Sequence, residues 1–328
     1  MPIHQKTQTP NRRMTTISLV VSSYNQIDLL KVCLRSIAAQ SRPFDEVIVV
    51  DDASTDGSQR YLEDWVQERP EHRLMKSAVN GGLSATRNQG MAAASMDYVA
   101  FIDGDDWFEP SACESMVGPL QRAAPDVVFF GFNSFDQSRG EVVQKTHGSG
   151  YYTQAPLTCA RPRTEEEISQ LFRLIPATWM KFYRRAFLSD NQIRSIGRLY
   201  EDTLWTLQCI TQADDIYCIS DRLINYRMHA GSFLHQCTDR HFSFFEISDK
   251  CEEFLSFRND ISPGLVTASR RFRFNLAANA LLNTGRIPEH SKPRYAREIL
   301  RIKGVREMPL DAAETELMAR IEALVASE

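Results

Sequence analysis

The chain has 328 residues, of which 43% are hydrophobic and 24% charged, and its formal net charge is −4. This length predicts one large domain with an appendage, and the balanced charge argues against nucleic acid as the main partner. Its seven cysteines form no CxxC or CxH pairs, which argues against a disulfide framework or a zinc knuckle and fits a reducing cytosol.

The first part of the chain predicts strands and helices in alternation. Residues 1–16 are polar and predict a flexible N-terminal tail. Strands are then predicted at ISLVVSS, EVIVV, near Leu74–Ser77, at DYVAFID and at DVVFFGF. Helices are predicted at DLLKVCLRSIAAQ, SQRYLEDWVQER, the Ala-rich stretch after NGG, and SACESMVGPLQRA. This alternation indicates a mostly parallel sheet covered by helices on both faces.

The rest of the chain is less regular. SRGEVVQKTHGSG predicts a polar loop or small hairpin, and EEEISQLFRLIPATWMKFYRRAFLSD a mixture of helix with a break at Pro176. YEDTLWTLQCITQA has an apolar helical face, and beyond about residue 240 the chain is predicted to be mostly helical, ending in AAETELMARIEALVAS. No apolar run approaches the roughly 18 residues that cross a bilayer, so we expect a soluble or at most peripheral protein.

Three polar clusters follow directly on three predicted strands: SSYN, DDASTDGS and DGDD. Ligands of open parallel sheets bind beyond the carboxyl ends of the strands, so we expect the clusters to converge on one crevice. A helix start explains part of DDASTDGS, but it does not explain Asp51 and Asp52 on the strand end, where charge is costly unless it is used. DGDD could be a solvated turn. Alternatively, Asp103 and Asp105 face one divalent ion, with Gly104 allowing a ligand's close approach.

These residues together resemble a known family. ISLVVSSYNQIDLLKVCLRSIAAQSRPFDEVIVVDDASTDGS is similar to the opening of family 2 glycosyltransferases, and NGGLSATRNQGMAAASMDYVAFIDGDDWFEP continues the likeness. TWMKFYRRAFL and YEDTLWTLQCITQADDIYCISDRLINYRMHAGS resemble the second half of that catalytic domain, so the match covers about residues 17–235. Two departures are Ser22-Ser23 in place of the usual Pro before Tyr-Asn, and Ala53 in place of Gly.

The resemblance implies a GT-A fold, an α/β architecture with a Rossmann-like, mostly parallel central sheet flanked by helices. The catalytic domain would span residues 17–238, and residues 239–328 would form a mainly helical C-terminal region. The implied reaction is inverting transfer from a nucleotide-sugar, most simply a UDP-sugar, bound through Mn²⁺ or Mg²⁺. We expect a hexosyl- or N-acetylhexosaminyltransferase that acts on a glycan or lipid-linked acceptor in surface polysaccharide synthesis.

The resemblance also implies the chemistry of individual side chains. Asp202 would be the catalytic base, and Glu201 would orient donor or acceptor hydroxyls. Without the family, these two acids are equally an acidic first turn that suits the dipole of the following helix. Asp105 would be the main metal ligand, Asp103 would face the ribose and the metal, and His229 would complete the metal shell or touch the diphosphate. A lone histidine such as this is also often structural.

The remaining implied contacts belong to the donor. Asp52, or Asp51, would accept from the base, at uracil N3, and Arg87 would lie near the nucleotide or diphosphate. Arg227 would neutralise phosphate charge, whereas Trp179 is explained as well by packing. Asp106 would point away and cap the turn before Trp107. The full set of predicted nucleotide-sugar residues is Ser23, Tyr24, Asn25, Asp51, Asp52, Arg87, Asp103, Gly104, Trp179, Lys181 and Arg227.

Two other classes of function fit part of the pattern. A phosphatase or phosphotransferase with an aspartyl nucleophile also places D-x-D after a strand, but it usually has Thr where this chain has Trp107. A catalytically silent nucleotide-sugar-binding module would not need the complete acidic set. We expect a cytoplasmic protein, with the basic segment SRRFRFNLAANALLNTGR either packing internally or contacting the inner face of the membrane. Homo-oligomerisation is left open.

Overall fold

The computed structural model describes residues 15–143, 157–160, 163–174 and 176–326. The predicted tail lies outside this range except for its last two residues, as does the second half of the SRGEVVQKTHGSG loop. The first half of that loop does form a hairpin, since a short strand at Glu141–Val143 pairs antiparallel with the preceding long strand.

The described residues form one mixed sheet of ten strands. Its strands are β1 Ile17–Ser23, β2 Glu46–Asp51, β3 His72–Lys76, β4 Tyr98–Asp103, β5 Trp107–Phe108, β6 Val127–Asp136, β7 Glu141–Val143, β8 Leu157–Ala160, β9 Lys181–Arg184 and β10 Asp215–Met228. The order across the sheet is β3-β2-β1-β4-β9-β6-β10-β5, with β7 on β6 and β8 on β10. The first four strands in sequence are mutually parallel, as predicted. The predicted α/β architecture is confirmed, but the sheet is mixed, because β5, β7, β8 and β9 pair with their neighbours in the antiparallel direction.

Eleven α-helices are found in the same ranges, together with short 3₁₀ turns. The helices are α1 Ile27–Ala38, α2 Ser58–Gln67, α3 Leu83–Ala93, α4 Ala112–Ala123, α5 Glu165–Arg173, α6 Arg185–Asp190, α7 Glu201–Gln212, α8 Ser243–Ser256, α9 Pro263–Leu282, α10 Lys292–Arg301 and α11 Ala312–Ala326. They cover both faces of the sheet, which is why β1 is buried along its whole length. Along β1, Leu19 and Val21 belong to one core and Val20 to the other, as the two-residue period of a strand requires.

Two strands in the second half differ from the sequence-based expectation. The segment WMKFYRR was predicted only as part of a mixed helical stretch, but Lys181–Arg184 forms β9, antiparallel to both β4 and β6. β10 extends over 14 residues and pairs in parallel with β6, with register shifts between Cys218 and Ile224. These irregularities break the alternation of apolar residues, which explains why no strand was predicted there.

The C-terminal helices have a core of their own and also join the main one. Phe274, Tyr295 and Ile321 lie in the separate core, whereas Cys251 and Leu265 pack in the main core beside α7. No helix in the described part of the chain is long and apolar enough to cross a membrane.

The basic residues of α9 are engaged within the protein. Arg270 and Arg273 both pair with Glu252, and Arg271 pairs with Glu314. Arg273 is fully buried. These ion pairs support internal packing as the role of this segment.

Candidate active site

The three polar clusters meet at one edge of the sheet, as predicted. The parallel register sets Ser22 of β1 opposite Asp103 of β4, and Ser23 of β1 opposite Asp51 of β2. Because all three strands run in the same direction, their carboxyl ends open into one crevice. This crevice is the candidate active site.

The loop after β1 is held in a defined conformation. Asn25 has a left-handed backbone with φ 47°. Its side-chain oxygen accepts from the backbone amide of Thr55 at 2.7 Å, and its backbone amide donates to the Ser54 hydroxyl at 2.9 Å. Ser54 and Thr55 therefore fasten this loop to the end of β2. Beside it, Tyr24 is 46% exposed, and the Ser23 hydroxyl is buried without a hydrogen-bond partner among the described residues.

The two acids at the end of β2 organise the floor of the crevice. The carboxylate of Asp52 accepts from the amides of Gly81 and Gly82, at 2.9 and 2.7 Å. Asp51 accepts from the Ser54 amide through Oδ2, while its buried Oδ1 has no partner among the described residues. These hydrogen bonds explain why the two buried charges are tolerated, since backbone amides replace water that the carboxylates lose on burial.

Gly104 packs against the loop that follows β1. A Cβ at this position would lie 2.5 Å from the Gln26 side chain and 2.9 Å from the Ser22 carbonyl oxygen. The missing side chain therefore makes room for this loop, and the close approach of a ligand to Gly104 stays a prediction.

Arg87 of α3 lies at the centre of the acidic residues and is almost fully buried. Its Nη1 donates to Glu201 at 2.9 Å and to Asp202 at 2.7 Å, and its Nη2 donates to both oxygens of Asp103 at 3.2 Å. One guanidinium thus offsets the electrostatic repulsion between three carboxylates. Because both oxygens of Asp103 are engaged, this carboxylate is also poorly suited to act as a nucleophile.

The buried acids differ in how they hold their protons. Burial lowers the pKa of Arg87, but the surrounding carboxylates outweigh it and the net pKa is raised. Burial raises the pKa of Asp103 to about 6 despite the charge of Arg87. The pKa of Glu201 is raised by burial and by the adjacent Asp202. Carboxyl groups whose pKa values are raised by burial and by neighbouring acids are typical of sites that move protons.

The helix that carries the acidic pair is anchored at its first turn. Tyr200 has φ 61°, and its hydroxyl forms a 2.7 Å hydrogen bond with Nδ1 of the fully buried His241. Glu201 and Asp202 follow directly, and the Asp202 side chain is 21% exposed. Oδ1 of Asp202 also accepts from the hydroxyl of Thr178, a residue that the sequence did not single out. A lone threonine carries no motif, so no sequence signal was available for it.

Asp105, just beyond the end of β4, contacts His229. Asp105 Oδ2 and His229 Nε2 lie 3.1 Å apart, and the two side chains are 24% and 18% exposed. Arg227 donates to the Asp105 carbonyl oxygen at 2.7 Å, with its guanidinium stacked 4.5 Å above the Trp107 ring. Asp106 is buried and accepts from the Arg227 amide at 2.8 Å, consistent with a structural acid.

The Asp105–His229 pair has suitable chemistry for a divalent cation. Two ligands at right angles around an octahedral ion with bonds of about 2.1 Å are separated by about 3 Å. Carboxylate oxygen and imidazole nitrogen both ligate Mn²⁺. Within the described ranges, no group of three or more His, Cys, Asp or Glu side chains gathers as a metal cluster. The pair therefore fits an ion that takes its other ligands from elsewhere.

Two further predicted donor contacts are packed inside the protein. Trp179 is stacked on Tyr226 with a centroid separation of 5.5 Å, which matches the packing interpretation. Lys181 is fully buried; its ammonium donates to the Ala177 carbonyl and lies 4.7 Å from the Phe129 ring centroid. Burial lowers the pKa of Lys181 to about 8. The structure does not bring this lysine to the surface of the crevice.

Comparison with known proteins gives concordant matches. The model of the family described as glycosyl transferase family 2 matches residues 18–188. Glycosyltransferase GlyA of Streptococcus pneumoniae is 30% identical over 227 residues, covering 68% of this chain but 32% of GlyA. Putative glycosyltransferase EpsH of Bacillus subtilis is 26% identical over 255 residues, covering 73% of this chain and 71% of EpsH. The chain thus spans about a third of GlyA.

Solved structures agree on the fold. Residues 1–349 of Staphylococcus aureus TarS, crystallised with UDP, superpose with a TM-score of 0.69 at 19% identity, over 95% of this chain and 87% of that one. The same TarS fragment with UDP-GlcNAc gives a TM-score of 0.68 at 20% identity, over 94% and 84%. At these identities the likeness shows the fold.

Proposed function

The chain belongs to glycosyl transferase family 2 and is a glycosyltransferase, and from this premise we propose its donor, its acceptor class and its catalytic residues. The donor is a nucleotide-sugar, most simply a UDP-sugar carrying a hexose or N-acetylhexosamine. The acceptor is a hydroxyl of a glycan or lipid-linked molecule in surface polysaccharide synthesis. The observation that carries the proposal is the joining of Asp103, Glu201 and Asp202 by the single guanidinium of Arg87.

The donor half of the site is proposed at the ends of β1, β2 and β4. TarS, which has the same fold, was crystallised with UDP and with UDP-GlcNAc. In this chain, two groups suit a nucleoside: the exposed Tyr24 ring, and the Ser23 hydroxyl, which has no partner in the part of the chain that the structure describes. The base contact goes to Asp52 or Asp51. Asp51 has a buried oxygen without a partner among the described residues, whereas Asp52 already accepts from two amides.

The diphosphate half is proposed at Asp105 and His229, which would hold Mn²⁺ or Mg²⁺, with Asp103 facing the ribose and the metal. When bound, the ion would act as a Lewis acid that stabilises the negative charge on the leaving diphosphate. Arg227 adds positive charge nearby, since its guanidinium lies over Trp107 at the same edge of the site.

The chemical step is assigned to the pair at the start of α7. Asp202 accepts the proton of the acceptor hydroxyl while the acceptor oxygen bonds to the anomeric carbon from the face opposite the diphosphate. The bond between that carbon and the diphosphate oxygen breaks in the same step, so the product is inverted and the nucleotide leaves with the electron pair. Glu201, buried beside Asp202, orients hydroxyl groups of the donor or acceptor.

Nucleotide release by the purified chain tests this proposal. The protein is incubated with a panel of UDP-sugars and GDP-sugars and with Mn²⁺, and free nucleotide is measured. We expect release from at least one UDP-sugar, its loss in Asp202→Asn, and its retention in Asp64→Asn, which changes an exposed acid on α2. Release from GDP-sugars alone would contradict the base assignment. Nucleotide binding without turnover would identify a binding module instead.

Three broader expectations remain predictions. The boundary between the catalytic domain and the C-terminal region is proposed at residues 238–239. Contact with the inner face of a membrane would be measured by flotation with anionic vesicles, and homo-oligomerisation by light scattering after gel filtration. The internal ion pairs of α9 lead us to expect that Arg270, Arg271 and Arg273 take no part in vesicle binding.

A further inference from the structure

We infer that Thr178 is a positioning residue that fixes the Asp202 carboxylate so that Oδ2 is the oxygen that receives the acceptor proton. The inference rests on the proposed function, because it takes Asp202 as the base. It concerns a residue that neither the sequence motifs nor the family resemblance singles out.

The two oxygens of Asp202 have unequal surroundings. Oδ1 accepts from Arg87 Nη1 at 2.7 Å and also from the Thr178 hydroxyl. Among the described residues, Oδ2 accepts from none. Each donated hydrogen bond draws electron density from Oδ1 and occupies one of its lone pairs. Oδ2 is therefore the oxygen left available to take a proton.

Two donors fix the carboxylate where one would not. Arg87 Nη1 is shared with Glu201, so by itself it would leave the Asp202 carboxylate free to rotate about its Cβ–Cγ bond and exchange its oxygens. The Thr178 hydroxyl approaches as a second donor to the same oxygen. Because a base must lie within hydrogen-bond reach of the hydroxyl it deprotonates, loss of this restraint should slow the chemical step.

The turn that presents Thr178 is held from three sides. Its residues Thr178–Met180 form a short 3₁₀ turn that leads into β9. The carbonyl of Pro176 accepts from the Thr206 hydroxyl at 3.0 Å, that of Ala177 from the Lys181 ammonium, and that of Thr178 from the Tyr183 hydroxyl at 3.1 Å. Three consecutive carbonyls thus have side-chain donors from α7 and β9. Lys181 holds this turn through the Ala177 carbonyl, so it has a structural role that does not depend on contact with a nucleotide-sugar.

The arrangement offers a matched pair of variants. Thr178→Val removes the hydroxyl that reaches Asp202 and keeps the shape of the side chain. Thr206→Val removes a hydroxyl that holds the same turn, from a residue just as buried, without touching Asp202. Thr178→Ser restores the hydroxyl, and Thr178→Ala provides a second deletion should the valine variant fail to fold.

The experiment measures kcat and KM for nucleotide release from the best donor, UDP affinity by calorimetry, and the thermal midpoint. We expect Thr178→Val or Thr178→Ala to lower kcat about 10- to 100-fold, with the donor KM and the UDP affinity within about threefold of wild type. Thr178→Ser should have a kcat within about threefold of the wild-type value. Thr206→Val should lower kcat by less than about threefold, because Lys181 and Tyr183 still hold the turn and the Thr178 hydroxyl still reaches Asp202.

Three results would overturn the inference. They are an unchanged kcat in Thr178→Val, an equal loss of kcat in Thr206→Val, or a loss that lies in donor KM and UDP affinity while kcat is kept. A wild-type protein that turns over no nucleotide-sugar would instead refute the proposed function, and the inference with it. The two failures are therefore told apart by the wild-type measurement.

Discussion

Arg87 Nη1 lies 2.7 Å from Asp202 Oδ1, and the arginine is almost fully buried while the aspartate side chain keeps 21% of its exposure. The same guanidinium reaches Asp103 at the end of β4 and Glu201, the neighbour of the proposed base. The end of a sheet strand and the start of a helix are thus held by one cation. Because of this geometry, we expect a substitution of Arg87 to change both the stability of the protein and its catalytic rate.

Replacing Arg87 with lysine keeps the charge but removes the planar fork. One ammonium cannot donate along both directions that the two Nη groups use, so at least one buried acid loses its partner. We expect a loss of about 2–4 kcal/mol in the free energy of unfolding and at least a tenfold lower kcat. Urea unfolding and nucleotide release measure both. Arg60→Lys, at an arginine whose side chain is 80% exposed, is the control. Wild-type stability in Arg87→Lys would contradict the prediction.

The neighbouring acids Asp105 and Asp106 should respond differently to amidation. Asp105→Asn and His229→Ala should each raise the Mn²⁺ concentration for half-maximal turnover at least about tenfold, because each removes a proposed ligand. Asp106→Asn should leave that concentration within about twofold, since the amide oxygen can still accept from the Arg227 amide. Titration of Mn²⁺ into metal-free protein measures the three values. Equal effects at both positions would disprove the assignment of the metal to Asp105.

Gly90 allows α3 to approach β1. An added Cβ would lie 2.3 Å from Val20 Cγ1. Alanine gains about 1 kcal/mol of helix propensity over glycine, but forced overpacking costs more. We therefore expect Gly90→Ala to lower the free energy of unfolding by about 1–3 kcal/mol. In the double variant Val20→Ala/Gly90→Ala, the loss should be smaller than the sum of the single losses by at least about 1 kcal/mol. Strict additivity would show that the strain is relieved elsewhere.

His72 should make the protein sensitive to acid. Its ring is stacked on Trp65 at 4.4 Å, and burial lowers its pKa to about 4 although Glu71 opposes the shift. The folded state therefore binds this proton less well than the unfolded state, whose pKa is about 6.5. The stabilisation is fully present above about pH 6.5 and is lost as the pH falls towards 4.

Comparison with His72→Phe isolates this contribution. Since the nearby Glu71 carboxylate offsets part of the cost of charging the ring, we expect wild type to lose about 1–2 kcal/mol more than His72→Phe between pH 7 and pH 4. Unfolding by urea at a series of pH values measures the difference. Parallel pH profiles for the two proteins would rule out the histidine as the source of acid sensitivity.

The sequence predicted the first half of the fold because its signals there are local. β1, β2 and β4 are short apolar runs that end in polar residues, Ser23, Asp51 and Asp103, so their position, direction and shared crevice could all be inferred. β9 could not be predicted from the sequence, because Lys181 places a cation inside a buried strand. That residue becomes intelligible only when the Ala177 carbonyl is seen to accept from it.

The candidate site shows the same division. Asp105, Asp202 and His229 carry family motifs and were identified, although their chemical roles stay predictions. The contact between Gly104 and the Gln26 side chain could not be predicted, because only folding brings the two together. Thr178 belongs to no motif, and its contact with Asp202 depends on a turn whose path is set by distant side chains.

The bond between Tyr200 and His241 has a consequence for how such chains can diversify. It ties the residue before the acidic pair to the first segment beyond the proposed boundary at 238–239. A gene exchange that imported a foreign C-terminal region there would leave the Tyr200 hydroxyl without its acceptor, directly beside the catalytic helix. We expect recombinant chains that exchange this region to work only when the incoming part supplies a substitute for His241.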